Sequence, residues 1–137
     1  MAASVLVDTG FLIAFLNKRD GDHAWAISIA QRRAPPWKTC DAILSETFHV
    51  LGREWRDVFT TMIGRGALIS AFHASDRISE IVELMRKYSN VPMSFADACL
   101  LRMTEILPDP LLLTTDSDFI VYRRHGRKIV PTAMPQD

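Results

Sequence analysis

Cysteine is scarce in this sequence: Cys40 and Cys99 are the only two among 137 residues, and there is no Cys-x-x-Cys pair. Two such residues cannot build a disulfide framework, so reduced, buried thiols are expected. Charge imbalance is missing too, because 16 Lys and Arg offset 16 Asp and Glu. Bulk charge therefore favours no nucleic-acid partner, and any such partner must be met by a local basic patch. No run approaches the ~20 apolar residues of a membrane span. The apolar start, MAASVLVDTGFLIAFL, has no basic segment ahead of it and is interrupted by Asp8, which makes it a poor signal peptide. A cytoplasmic location with no membrane contact is the expectation. Internal repeats and low-complexity segments are also absent.

What is present suits one domain over residues 1–137. A hydrophobic fraction of 48% can fill a core without disulfides or a structural metal. Ser4 to Val7 is a short apolar run and reads as a strand buried on both faces. Helical spacing begins at Thr9, through Phe11, Leu12, Phe15 and Leu16, and resumes from His23 to Arg33 until Pro35-Pro36 stops it. Trp37 to Cys40 reads as a second strand. Asp41 is the expected N-cap of the next helix, on which Glu46 and Val50 share a face with Ile43. A helix over Arg56 to Arg65, a strand over Ala67 to Ala71 and an amphipathic helix over Ser75 to Tyr88 follow. That last helix has Ile78, Ile81, Val82, Leu84 and Met85 as its apolar face. Ser94 caps a helix to Leu107. Leu111 to Leu113 is a strand, a short helix starts at Phe119, and a last strand over Lys128 to Val130 completes the domain.

Short apolar strands alternating with amphipathic helices imply parallel βα units. Such sheets bind ligands outside the carboxyl ends of their strands. Asp8 directly follows the first strand, and Asp116 and Asp118 follow the leucine strand. Asp97 and Glu46 lie near helix starts among apolar neighbours. Acids on the inward side of a helix are costly to bury alone, and a shared cation would neutralise them. Oxygen ligands suit Mg²⁺ or Mn²⁺, and a metal pair ~3.5–4 Å apart can serve both oxygens of a phosphodiester displacement. Each acid also has a plain structural reading. Asp8 could be an N-cap, Glu46 a solvated helix acid, Asp97 a complement to its helix dipole, and Asp116 and Asp118 turn formers. Their joint placement on one predicted crevice favours the active-site reading.

Four segments carry a resemblance: VLVDTGFLIAFL, ILSETFHVL, SFADACLLRM and LLLTTDSDF. In this order they resemble the PIN-domain nucleases, and within them the VapC-type toxins of toxin–antitoxin pairs. The resemblance implies an α/β, Rossmann-like three-layer fold, with a parallel central sheet flanked by helices. It implies a Mg²⁺- or Mn²⁺-dependent endoribonuclease that hydrolyses phosphodiesters of structured RNA, tRNA or rRNA, by metal-activated water. Asp8, Glu46, Asp97 and Asp116 match the family's acids, as both catalytic and metal-binding residues. Thr9 and Thr114 match the supporting hydroxyls, and Asp118 competes with Asp116 for the fourth position. A homodimer and a cognate antitoxin whose tail enters the acidic site are the implied partners. The triplet Asp8-Thr9-Gly10 also matches the aspartic-protease signature, but those proteases are all-β, and here a helix follows at once.

Phosphate contacts dominate nucleic-acid affinity, and Arg123 and Arg124, then Arg53 and Arg56, are the expected rim. Trp25, Trp37 and Trp55 read as core or interface, and Met93 and Met103 as core. His49 stands one turn after Glu46 and could bond it. Two other functions compete with the toxin. One is a housekeeping RNA-processing nuclease of the same fold; the absence of an appended RNA-binding domain weighs against it. The other is a non-catalytic acidic binding or phosphoacceptor domain. That reading needs a lysine after a late strand, whereas Lys128 precedes the last one.

Overall fold

The strand over Ser4–Val7 (β1) forms where the sequence runs apolar without a break, and it lies at the centre of the sheet. A computed structural model describes residues 3–136. After β1 come helices Thr9–Leu16 (α1) and His23–Arg32 (α2), strand Trp37–Thr39 (β2), helices Asp41–Val50 (α3) and Arg53–Gly64 (α4), and strand Leu68–Ser70 (β3). Helices Ile78–Lys87 (α5) and Phe95–Ile106 (α6) lead to strand Pro110–Leu113 (β4). Three two-residue strands close the chain: Arg123–Arg124 (β5), Lys128–Ile129 (β6) and Thr132–Ala133 (β7).

The main sheet has the order β3-β2-β1-β4-β7, and every pairing in it is parallel. This is the expected parallel sheet flanked by helices. The chain moves outward from β1 to β2 and β3, then returns to place β4 on the other side of β1, in register from Ser4↔Pro110 to Val7↔Leu113. The strand order therefore reverses between β1 and β4. In open parallel sheets a crevice forms at that point, outside the carboxyl ends of the two strands.

Burial explains why these segments hold. Leu6, Val7, Leu112 and Leu113 are fully shielded from solvent in the two central strands. The α1 helix packs Phe11 and Phe15 edge-on against Trp37, with ring centroids 5.1 and 5.0 Å apart. Edge-to-face contacts of this kind add to the area term. Trp37 is fully buried and its indole donates to the Arg33 carbonyl at 2.7 Å, so it belongs to the core as expected. Met93 and Met103 are also buried. Cys40 and Cys99 are both free and buried.

Several boundaries differ from the sequence reading. Asp41 does not cap α3: Cys40 occupies the cap and Asp41 is the first helical residue. The Asp41 carboxylate instead accepts the Ser70 hydroxyl at 2.5 Å. The α4 helix begins at Arg53, three residues early. The Ser75–Tyr88 helix opens as a tight 3₁₀ turn over Ala74–Arg77, which turns Ile78 outward to 46% exposure while Ile81 fills the core. The helix expected from Phe119 is a single 3₁₀ turn, Ser117–Ile120. Lys128 to Val130 does not extend the main sheet, because β6 pairs antiparallel with β5 as a separate hairpin. The outer main-sheet position goes to β7. A two-residue strand offers too little pattern for periodicity to detect.

Candidate active site at the β1–β4 crevice

Asp8 is the first residue past β1, at the mouth of the crevice, and is 5% exposed. It caps α1: its Oδ1 accepts the Phe11 N–H at 2.8 Å. Its Oδ2 accepts the hydroxyl of Thr114, the first residue past β4. Burial pushes the Asp8 carboxyl up to about 7, against the lowering effect of those two hydrogen bonds. The negative charges of Asp116 and Asp97 raise it further.

Thr114 is fully buried and links two acids. While donating to Asp8, its Oγ1 accepts the Asp116 N–H at 2.9 Å. The Asp116 Oδ1 in turn accepts the Asp118 N–H at 2.9 Å, which forms a local turn and caps the 3₁₀ segment. Asp97 sits in the first turn of α6, where its N–H donates to the Ser94 Oγ at 3.0 Å, the expected cap. Burial pushes the Asp97 carboxyl up to about 6, and the charges of Asp116 and Glu46 add to the rise. Asp116 therefore acts electrostatically on both Asp8 and Asp97, whereas the charge of Asp118 acts on Tyr122.

Glu46 differs from the inward acid read from the sequence. The α3 helix buries Ile43 and Thr47, with Leu51 just beyond its end, and this stripe leaves Glu46 exposed at its flank. Glu46 is still tied to the site, because its Oε1 accepts the Thr9 hydroxyl at 2.9 Å. Thr9, rather than His49, is its partner.

Sequence reasoning missed Tyr122. Its ring is fully buried between Tyr88 and Phe119, with centroids 5.1 and 5.2 Å away, and its hydroxyl donates to the Asp97 Oδ2 at 3.3 Å. Burial and the surrounding carboxylates push the phenol above its ordinary range, so it stays protonated as a donor. An aromatic three residues before a basic stretch carried no motif that could have revealed this. Gly10 was visible only as part of a triplet. A Cβ built there would overlap the Thr115 hydroxyl, so the α1 start and the β4 exit approach too closely for a side chain.

The basic residues divide. Arg123 Nη1 donates to the carbonyls of Ile120, Val121 and Tyr122, at 2.6, 3.2 and 3.1 Å. Arg124 donates twice to the Thr104 carbonyl, at 3.0 and 2.6 Å. Both guanidiniums therefore have structural work near the site. Arg53 and Arg56 lie exposed on α4.

Residues 5–124 match the model of the PIN domain. The chain belongs to the PIN-domain family. PIN domains are generally nucleases, hence hydrolases, and generally use divalent metals. No curated protein matches the chain significantly. The family match spans all four acids and ends at Arg124. No helix among the described residues is long and apolar enough to cross a membrane.

The donor chemistry of this PIN site suits a hard cation. Its acids offer only oxygen, and they raise one another's proton affinity, as like charges at one crevice do. The carboxylate oxygens named above each accept one hydrogen bond, which leaves further lone pairs. Among the described residues, no three His, Cys, Asp or Glu side chains are already grouped to hold an ion. The acids are turned instead toward their own donors.

Proposed function

We propose that this PIN domain is a Mg²⁺- or Mn²⁺-dependent endoribonuclease, the toxin of a toxin–antitoxin pair, acting on structured RNA such as tRNA or rRNA. The observation that carries this reading is the buried Asp8 carboxyl at the switch point. Its proton affinity is raised by burial and by the charges of Asp116 and Asp97. Such a cluster is unfavourable by itself and is relieved by a divalent cation. Asp8 and Asp97 are the residues assigned to hold the ion, with Glu46 and Asp116 completing the set. When bound, the ion supplies a more acidic water and neutralises charge on the phosphoryl oxygens.

The chain's own groups divide the remaining work. Thr114 and the Phe11 N–H fix the Asp8 carboxylate, and Tyr122 fixes that of Asp97. Glu46, exposed and held only by Thr9, is the acid assigned to take the proton of the attacking water. Asp116 is preferred to Asp118 as the fourth acid, because its charge acts on both buried carboxyls. The toxin assignment rests on the four segment motifs. A homodimer and an antitoxin tail entering the acidic crevice belong to the same reading, and exposed Val50 and Val58 offer apolar surface for a partner.

The test is to induce the protein in cells and sequence the new RNA 5′ ends, with Asp97→Asn as control. One dominant cleavage position that disappears in the control supports the reading. Equal cleavage by Asp97→Asn, or in vitro cleavage that survives chelation of divalent ions, sinks it.

A further inference from the structure

The two cysteines are far apart in sequence and meet in the fold. Cys40 directly follows β2 and caps α3, and Cys99 lies in the second turn of α6. The Cys99 S–H donates to the Cys40 sulfur, which also accepts the backbone N–H groups of Ile43 and Ala42 in the opening turn of α3. Both residues line a cleft of about 450 Å³, together with Phe72, His73, Ser75 and Phe95. The acidic site uses neither thiol.

We propose that Cys40 and Cys99 form a reversible modification site, a dithiol that a small peroxide converts into an intramolecular disulfide. Three features support this: two sulfurs in direct contact, donors gathered on one of them, and a cleft that both line. The donors on Cys40 favour its thiolate, and they hold its proton affinity below the ordinary thiol value despite burial. Cys40 is therefore the attacking sulfur and Cys99 the resolving one.

The chemistry balances in two steps. The Cys40 thiolate attacks one peroxide oxygen, the O–O bond breaks, and the departing hydroxide leaves as water after taking a proton. Cys40 is then a sulfenic acid. The Cys99 sulfur attacks the Cys40 sulfur, the S–O bond breaks, and a second water leaves with the Cys99 proton. Two thiols lose two electrons and the peroxide gains them. An S–S bond of ~2.05 Å is shorter than a thiol–thiol contact. Its closure draws the start of α3 toward α6, the helices that carry Glu46 and Asp97.

The full-length reduced chain, treated with hydrogen peroxide and then unfolded for thiol counting and intact mass, tests this. The expected result is loss of both thiols and of the mass of two hydrogens within one chain. A linked peptide pair holding Cys40 and Cys99 is released by dithiothreitol. In Cys99→Ala the same treatment leaves Cys40 as a sulfenic acid that dimedone traps. Two titratable thiols after treatment, a bond between two chains, or oxidation past sulfenic acid without a cross-link would each overturn the proposal. The wild-type measurement does not depend on any variant folding.

Discussion

Thr114 donates its hydroxyl to Asp8 across the junction of β1 and β4, joining two residues 106 positions apart in sequence. The same oxygen accepts the Asp116 N–H, so one buried hydroxyl sets the positions of two acids. Thr114→Val removes both bonds while keeping the side chain's shape. Metal affinity and cleavage are expected to fall ~10–100-fold, as when an outer partner of a metal ligand is lost. The Asp8 carboxyl should rise further, shifting the activity profile to higher pH, and Thr114→Ser should restore both. Isothermal titration with Mn²⁺ and a pH–rate profile check this. An unchanged profile in a folded Thr114→Val protein refutes the coupling.

A second expectation concerns pH. Asp8 near 7 and Asp97 near 6 both lie above the ordinary 3.8. Between those values the folded chain binds more protons than the unfolded one, so stability falls as pH rises. The contribution is complete below the unfolded value and is lost as pH climbs through the two folded values. In chelator, urea midpoints should therefore be higher at about pH 5 than at about pH 8. Asp8→Asn should flatten that slope and raise the midpoint at the higher pH, while abolishing cleavage. Added Mg²⁺ should stabilise the wild type most at the higher pH. A wild-type slope of the opposite sign defeats this account.

Gly10 supplies a third test. A methyl group at this position meets the Thr115 hydroxyl and lies near the Asp8 Oδ1, at 3.7 Å. Gly10→Ala is expected to displace the loop that follows β4 and to lower cleavage more than stability. Removing the obstacle in Gly10→Ala/Thr115→Ala should recover most of the lost activity. A double-mutant cycle reads the coupling, and additive effects would show that the two segments do not press on each other.

Arg124 separates structure from substrate binding. Its guanidinium satisfies the Thr104 carbonyl in the last turn of α6, one of the four that a helix leaves without an internal partner. Arg124→Ala should cost about 1–3 kcal/mol by leaving that acceptor unpaired. Chemical denaturation measures the loss. If stability is unchanged and RNA binding drops instead, the residue belongs to the substrate.

Much of this was legible in the sequence, for identifiable reasons. β1 and β4 are continuous apolar runs, and Asp8 and Thr114 stand immediately after them, so their meeting followed once the sheet was taken as parallel. Ser94 was readable as a cap because its residue type matches the orphan N–H groups of a helix start. Glu46 came out on the exposed side because the i, i+4 stripe of Ile43 and Thr47 set the buried face, and i+3 lies at its margin. Tyr122 and the Cys40–Cys99 contact were hidden because both depend on packing between elements distant in sequence. Local pattern carries no record of such contacts. The structural and functional readings of Asp8 and Asp116 also proved compatible: each caps a turn with one oxygen and keeps further lone pairs.

The position of β1 at the middle of the sheet has a consequence for synthesis. Asp8 emerges from the ribosome early, but Thr114, Asp116 and Tyr122 emerge only after residue 110, when β4 can dock beside it. Until then the first acid has neither its hydroxyl partner nor the acids that share its crevice. A nascent chain therefore carries no assembled nuclease centre, and the translating cell is not exposed to cleavage by an unfinished copy.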